Sequence, residues 1–220
     1  MLTQSEENYI KAIYSLSEEL GESVSTNLLA EKIETKPSSV SDMIKKLSEK
    51  KLISYQKYQG CTLTHEGKKK ALSIIRKHRL WEVFLVEKLK FGWEEVHEIA
   101  EQLEHIQSLK LTNQLDDFLD NPKIDPHGDP IPDRDGVIIS SKKSIPLSEL
   151  SIDERGLVVG VDDGSLDFFN FLKRYDIGLG TEICILEKFL FDKSILVNIN
   201  NREVSFSALV SNKIFIQLQP

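Results

Sequence analysis

Five of the chain's seven prolines lie between Pro122 and Pro146. Proline fixes φ and lacks an N–H, so this stretch is an extended loop or linker and not the interior of a helix or strand. It separates two patterns. Before it, apolar residues recur at spacings of three and four, the helical period. After it they form short runs bounded by turn residues, as strands do. The chain is therefore expected to be α+β, helical first and then built of short, mostly antiparallel strands. Its 220 residues suffice for two or three units, each with its own core.

At the N-terminus, Thr3-Gln-Ser-Glu6 has the form of a capping box, and Tyr9, Ile10, Ile13 and Tyr14 give the helix it opens an apolar stripe. Gly21 ends that helix. Ser25 or Thr26 caps a short one over residues 27–33. Pro37 suits the first turn of a third, 37–50, with Val40, Met43, Ile44 and Leu47 on one face. Two short helices joined by a tight turn make a helix-turn-helix. Residues 52–55 and 61–64 around the polar tip 56–60 read as a β-hairpin, the wing of a winged helix. The 37–50 helix would enter the major groove, with Lys36, Ser38, Ser39, Ser41 and Asp42 near its exposed N-terminal end. Lys45 and Lys46, with Lys57 on the wing, would meet phosphates, which position a protein without specifying sequence. Charge agrees. Residues 36–70 hold nine lysines and three acids, a surplus of six in a chain of net charge −7. That is a basic head on an acidic body. The other reading is a protein-interaction module with lysines on solvated faces.

Thr64 caps a helix to about residue 90, followed by helices over 93–109 and 112–120. Trp81, Val83 and Phe84 either close a dimer interface or form internal core. In the 93–109 helix, His97, Glu101, Glu104 and His105 are three or four residues apart and share a face. His78 and Glu82 repeat the i,i+4 spacing on the preceding helix. Two imidazoles and two carboxylates, without a thiolate, suit Mn, Fe, Co or Zn. The competing reading is a solvated polar face. His127, in the proline-rich loop, is expected to be structural or solvated.

Cys61 and Cys184 are far apart and outside any Cys-x-x-Cys pattern, against a cysteine-based zinc site and for a reducing compartment. The first residues lack the basic and apolar regions of a secretory signal, and no apolar run reaches membrane-spanning length. A cytoplasmic protein without membrane association is expected. After Pro146, strands are expected at 156–161, 182–186, 195–199, 203–206 and 213–217, with a short helix over 165–175. That set suggests an SH3-like barrel.

The residues Glu7-Asn8-Tyr9-Ile10-Lys11-Ala12-Ile13-Tyr14, Lys36-Pro-Ser-Ser-Val40, Arg76-Lys-His-Arg-Leu80, Glu101-Gln-Leu-Glu-His105 and Pro126-His-Gly-Asp-Pro-Ile-Pro132, in this order, resemble the diphtheria toxin repressor family of metal-activated transcriptional regulators. The resemblance covers nearly the whole chain. It implies a winged helix-turn-helix DNA-binding domain (1–72), an all-helical metal-binding and dimerisation domain with the proline-rich loop (73–145), and a C-terminal SH3-like, FeoA-like β-barrel (146–220). It implies a homodimer that binds palindromic operators of metal-uptake genes in double-stranded DNA, with no small-molecule substrate.

For the main metal site the resemblance implies Asn8, Glu101, Glu104 and His105. Glu101 stands where iron-type members have Cys and manganese-type members Glu, so Mn²⁺ is expected, with Fe²⁺ the alternative. Asn8 departs from the Asp of the manganese type and the Met of the iron type. Lys11 departs from the Glu of two-domain manganese regulators, against a binuclear site. For a second site it implies His78, Glu82 and His97. Ser165 and Phe168 match the remaining ligand positions poorly, and Asp167 or Asp163 would substitute.

Two readings from other classes stand beside this one. A helical di-metal carboxylate enzyme would want a Glu-x-x-His on each of two helices and two further Glu, a set only partly present. A metal-independent winged-helix DNA-binding protein would leave the Glu/His cluster on the surface.

Overall fold

Helix α1 (Gln4–Leu20) starts and stops on local chemistry. The Thr3 hydroxyl accepts the Glu6 N–H, the Glu6 carboxylate accepts the Thr3 N–H, and Gly21 closes the helix in the left-handed region at φ 67. The structure, a computed structural model, describes residues 2–21, 23–56, 59–92, 95–138, 144–161 and 166–218. Ser25 caps α2 (Thr26–Lys32), and Pro37 occupies the first turn of α3 (Pro37–Glu49). Strands β1 (Ile53–Gln56) and β2 (Gly60–Leu63) pair antiparallel, Ile53 opposite Leu63 and Gln56 opposite Gly60. These are the winged helix-turn-helix elements; Lys57, at the wing tip, lies outside the described residues. The Thr64 hydroxyl caps α4 (His65–Glu87) by accepting the Gly67 N–H. Ala71, Leu72 and Ile75 of α4 join Ile10, Ile13, Leu29, Val40, Ile44 and Leu47 in one core.

Helices α5 (Val96–Leu103) and α6 (Leu109–Phe118) differ from the expected 93–109 and 112–120. The apolar pattern runs on, but Ser108 intervenes: its hydroxyl accepts the Leu111 N–H and its carbonyl the Thr112 N–H, so α6 begins there. Glu104 and His105 therefore sit in the turn after α5.

The chain divides into two units. One comprises Met1–Trp81, Ala100–Leu115 and Pro132–Ile138, the other Glu82–Ile99, Asp116–Ile131 and Ile139–Pro220. Within the second, six antiparallel strands run in the order β3-β8-β4-β5-β6-β7, an SH3-like sheet. They are β3 (Ile145–Pro146), β4 (Arg155–Val161), β5 (Glu182–Lys188), β6 (Ile195–Ile199), β7 (Arg202–Phe206) and β8 (Ile214–Leu218). Register shifts between Val158 and Gly160, and between Ile185 and Glu187, bend the sheet. With α7 (Leu166–Arg174), it encloses a core that includes Leu147, Phe169, Leu172, Ile183, Phe206 and Ile216. The two-residue β3 and the Ser207-capped α8 (Ala208–Asn212) are too short for a periodic pattern to reveal. Among the described residues, no helix is long and apolar enough to cross a membrane. Val83 belongs to the buried core (2% exposed) and not to an open face.

Glu6 ties this fold to its capping. Fully buried, it caps α1 and also takes Lys50 Nζ at 2.7 Å and Lys46 Nζ at 3.1 Å from α3. Burial pushes its carboxyl up, but Lys50, the Thr3 N–H and Lys46 together outweigh that and hold it at about 2 instead of 4.5. A carboxyl lowered in the folded state gives stability that is complete above the unfolded value of 4.5 and is lost as pH falls towards 2. Glu6→Gln is expected to cost about 1–3 kcal/mol at neutral pH, because the lysines it leaves are half exposed. Urea unfolding as a function of pH should also lose part of its slope between those two values.

Candidate functional site

On α3 the apolar positions Val40, Ile44 and Leu47 are buried, so Lys36 at its N-cap and Ser38, Ser39, Ser41, Asp42, Lys45 and Lys46 lie on the exposed side. The Ser41 hydroxyl donates back to the Pro37 carbonyl. Lys46 is drawn towards Glu6, which shares its charge and leaves Lys36 and Lys45 as the more available cations.

In the first unit, α1 meets the turn after α5. Lys11 Nζ reaches Glu101 at 3.3 Å and Glu104 at 2.8 Å. His78 Nδ1 lies 2.7 Å from Glu104 Oε2. His105 Nδ1 lies 2.6 Å from Glu7 Oε2, and Gln107 Nε2 donates to Glu7 Oε1 at 2.6 Å. The other ring nitrogen, His105 Nε2, faces Glu104 Oε1 at 3.8 Å. Glu104 is completely buried, and Oε1 accepts no hydrogen bond although Lys11 is close. Burial raises the Glu104 carboxyl, but the His78 hydrogen bond and the Lys11 charge bring it below its ordinary value, so it is an anion. Buried Lys77 feels both Glu7 and Glu104, although burial still lowers its ammonium. A buried carboxylate oxygen 2.8 Å from an ammonium and 3.8 Å from an imidazole nitrogen is a place that suits a cation.

In the second unit, Glu82 is 1% exposed and has His97 Nδ1 at 3.4 Å and His127 Nδ1 at 3.6 Å. Ligand atoms of Glu82, Asp125 and His127 lie within 4.8 Å of one another, a spacing that can hold a metal ion. The proline-rich loop is built for this. Asp125 Oδ1 accepts the His127 and Asp129 N–H groups, and the Val161 N–H donates to the His127 carbonyl. Gly128 at φ 92 is needed twice over, since a Cβ there would meet the Val159 carbonyl oxygen at 2.0 Å. The His127 ring rests against Phe169, centroids 5.2 Å apart. His127 is therefore not solvated, as one of the two expectations had it: it is buried, beside Glu82 and Asp125. The thiols are elsewhere. Cys61 is in the first unit's core, where burial pushes it up to about 11.

The expected main set is brought together only in part. Glu104 and His105 adjoin, and Glu101 reaches them through Lys11. Asn8 is exposed and takes no part in these hydrogen bonds; the α1 carboxylate that does is Glu7. His97 does not share one cluster with Glu104 and His105, as the single-helix reading had it, because α5 ends at Leu103 and His97 turns to Glu82. Of the expected second set, His78, Glu82 and His97 offer ligand atoms within 4.8 Å of one another, and His78 also bonds Glu104. Asp167 is exposed at the start of α7, and Phe168 packs on the hydrophobic core. Asp163 and Ser165 lie outside the described residues. The missed residues left faint signals. Glu7 precedes Lys11 by one helical turn, and Asp125-Pro-His127-Gly is a turn that presents two ligand types.

Three family models match the chain in succession. Residues 1–61 match the iron dependent repressor N-terminal DNA binding domain. Residues 64–133 match the iron dependent repressor metal binding and dimerisation domain, and 145–218 the FeoA domain. The iron-dependent repressor IdeR of Mycobacterium leprae is 34% identical over 131 residues, 60% of this chain and 56% of that protein, so the chain spans little more than half the length of this relative. The HTH-type transcriptional regulator MntR of Oceanobacillus iheyensis is 32% identical over 154 residues, 70% of this chain and 97% of that one. A manganese-dependent transcriptional repressor solved in complex with manganese superposes with a TM-score of 0.86 at 32% identity, covering 97% of this chain and 100% of that one. All three are transcriptional regulators, which sets the enzyme reading aside.

The loop geometry has a testable consequence. Asp125→Ala removes the acceptor of two backbone N–H groups and is expected to cost about 1–3 kcal/mol in urea unfolding without metal, whereas Asp125→Asn, which keeps an acceptor oxygen, should cost less than half of that.

Proposed function

The chain belongs to the iron-dependent repressor family, and from that premise we propose that it is a homodimeric repressor whose hold on double-stranded DNA is switched by a divalent metal, Mn²⁺ in preference to Fe²⁺. The observation that carries this reading is the fully buried Glu104 carboxylate, whose Oε1 already draws one cation, Lys11 Nζ at 2.8 Å, and faces His105 Nε2 at 3.8 Å. Glu101, Glu104 and His105 would hold the ion, with Asn8 at the rim of the site. Carboxylate oxygens and one imidazole favour Mn²⁺ over softer ions. When bound, the metal supplies the positive charge that lets these groups be held together. Lys11 supplies part of that charge through Glu101 and Glu104 and must give way. Its presence argues for one ion here, not two.

A second ion is proposed for Glu82, Asp125 and His127, with His97 alongside. That set differs from the expected one in taking two ligands from the loop. The exposed faces of Phe118 and Leu89, with the Phe84 ring 6.3 Å from Phe118, support dimerisation through the helical region. Ser38, Ser39, Ser41 and Asp42 would read base edges, and Lys36, Lys45 and Lys46 would meet phosphates, with Lys57 added from the wing. The targets we propose are palindromic operators of metal-uptake genes. A ligand shifts an equilibrium only through differential affinity, so the metal must favour the DNA-competent arrangement.

Selection from a random duplex pool, with Mn²⁺ and with chelator in parallel, tests the reading. A palindrome enriched only with Mn²⁺ is expected; equal enrichment in both arms would remove the metal switch. Glu104→Ala and His105→Ala should lose metal-dependent binding while keeping the fold. Lys45→Ala should weaken binding about equally across sequences and reduce the salt slope by about 1.

A further inference from the structure

We propose that Glu7 is the positioning residue of the main site: its carboxylate holds the His105 ring so that Nε2 is presented, as a lone pair, towards Glu104 Oε1. The inference rests on the metal-site reading above and adds a residue to it that ligates nothing itself.

Both oxygens of Glu7 are committed. Oε2 takes His105 Nδ1 at 2.6 Å, and Oε1 takes Gln107 Nε2 at 2.6 Å. Gln107 Nε2 also donates to the His105 carbonyl at 3.3 Å, so the three residues brace one another. The Glu7 side chain is 5% exposed and that of His105 12%, which leaves water little access to the contact. A neutral imidazole carries one N–H. A carboxylate accepts and does not donate, so the proton belongs on Nδ1 and the lone pair on Nε2.

That nitrogen lies 3.8 Å from Glu104 Oε1, a buried carboxylate oxygen that also has Lys11 Nζ at 2.8 Å. Two ligand atoms that share an ion at about 2.0–2.2 Å stand about 3–3.5 Å apart, so little movement separates this arrangement from a binding one. A carboxylate behind a ligating imidazole fixes its tautomer and orientation, and losing such a partner typically costs about 10–100-fold in metal affinity. His105 needs this support because α5 ends at Leu103 and leaves it in a turn, where no helix sets its direction.

The test uses the full chain labelled with ¹⁵N in its histidine rings, free of metal, at about pH 8.5. Wild type is expected to show His105 protonated at Nδ1 and bare at Nε2. Glu7→Gln, whose amide oxygen still accepts, should keep that tautomer, and Glu7→Ala should give a mixture. In parallel, competition with a chromophoric chelator should show Mn²⁺ affinity about 10–100-fold lower in Glu7→Ala and an intermediate loss in Glu7→Gln. A wild-type ring protonated at Nε2 would overturn the proposal. So would a folded Glu7→Ala with unchanged tautomer and unchanged Mn²⁺ affinity. Should Glu7→Ala fail to fold, Glu7→Gln decides alone, and wild-type affinity in it counts against the proposal. Wild type that binds no Mn²⁺ contradicts the functional reading instead, and the tautomer still decides the role of Glu7.

Discussion

Two consecutive carboxylates on α1, Glu6 and Glu7, are buried and point about 100° apart, as adjacent residues on a helix must. Buried charge is costly unless it is paired, so each fixes a partner. Glu6 takes Lys46 and Lys50 of α3, the helix whose outer face carries the proposed DNA contacts. Glu7 takes His105, in the turn that carries the proposed metal ligands. One rigid helix thus touches both functions at neighbouring residues. Any change at the His105 end that turns or shifts α1 has to be answered by α3 or by the loss of a buried ion pair.

Around that helix the proposed first-unit site is held together by opposite charges. Lys11 neutralises Glu101 and Glu104, and His78 bonds Glu104 from α4. These pairs compensate the buried charge, and in the proposed site they would oppose metal entry, because Lys11 would have to be displaced. A site that carried four uncompensated acceptors would bind metal more tightly and fold less well without it. The site in the second unit takes the other course. There the proposed ligands Asp125 and His127 are held by backbone hydrogen bonds of the loop 124–131, pinned to β4 through Val161.

Much of the fold was legible in the sequence because its signals are local. The Thr3–Glu6 box, the Gly21 stop, Pro37 at the start of α3 and the proline-rich break each act within a few residues. Reading α5 as far as Leu109 failed for an equally local reason: the helical period continues through the turn, and only Ser108 marks the restart. The residue types of the proposed sites stand in the sequence, but their grouping does not. His97 and His105 share a helical spacing yet serve different clusters, since the spacing holds only while the helix does. Glu7 and His127 were passed over because their roles come from burial and from partners about 100 residues away for one and 45 for the other, which no local pattern encodes.

On the proposed function, metal and DNA bias the same arrangement of α1 and α3. Coupling of that kind is reciprocal. The direct test is the Mn²⁺ affinity of the protein alone and of the protein saturated with its selected duplex, set against its DNA affinity with and without Mn²⁺. DNA is expected to tighten Mn²⁺ binding by the same factor by which Mn²⁺ tightens DNA binding, with that factor clearly above one. Identical Mn²⁺ affinities in the free and DNA-bound protein would contradict it.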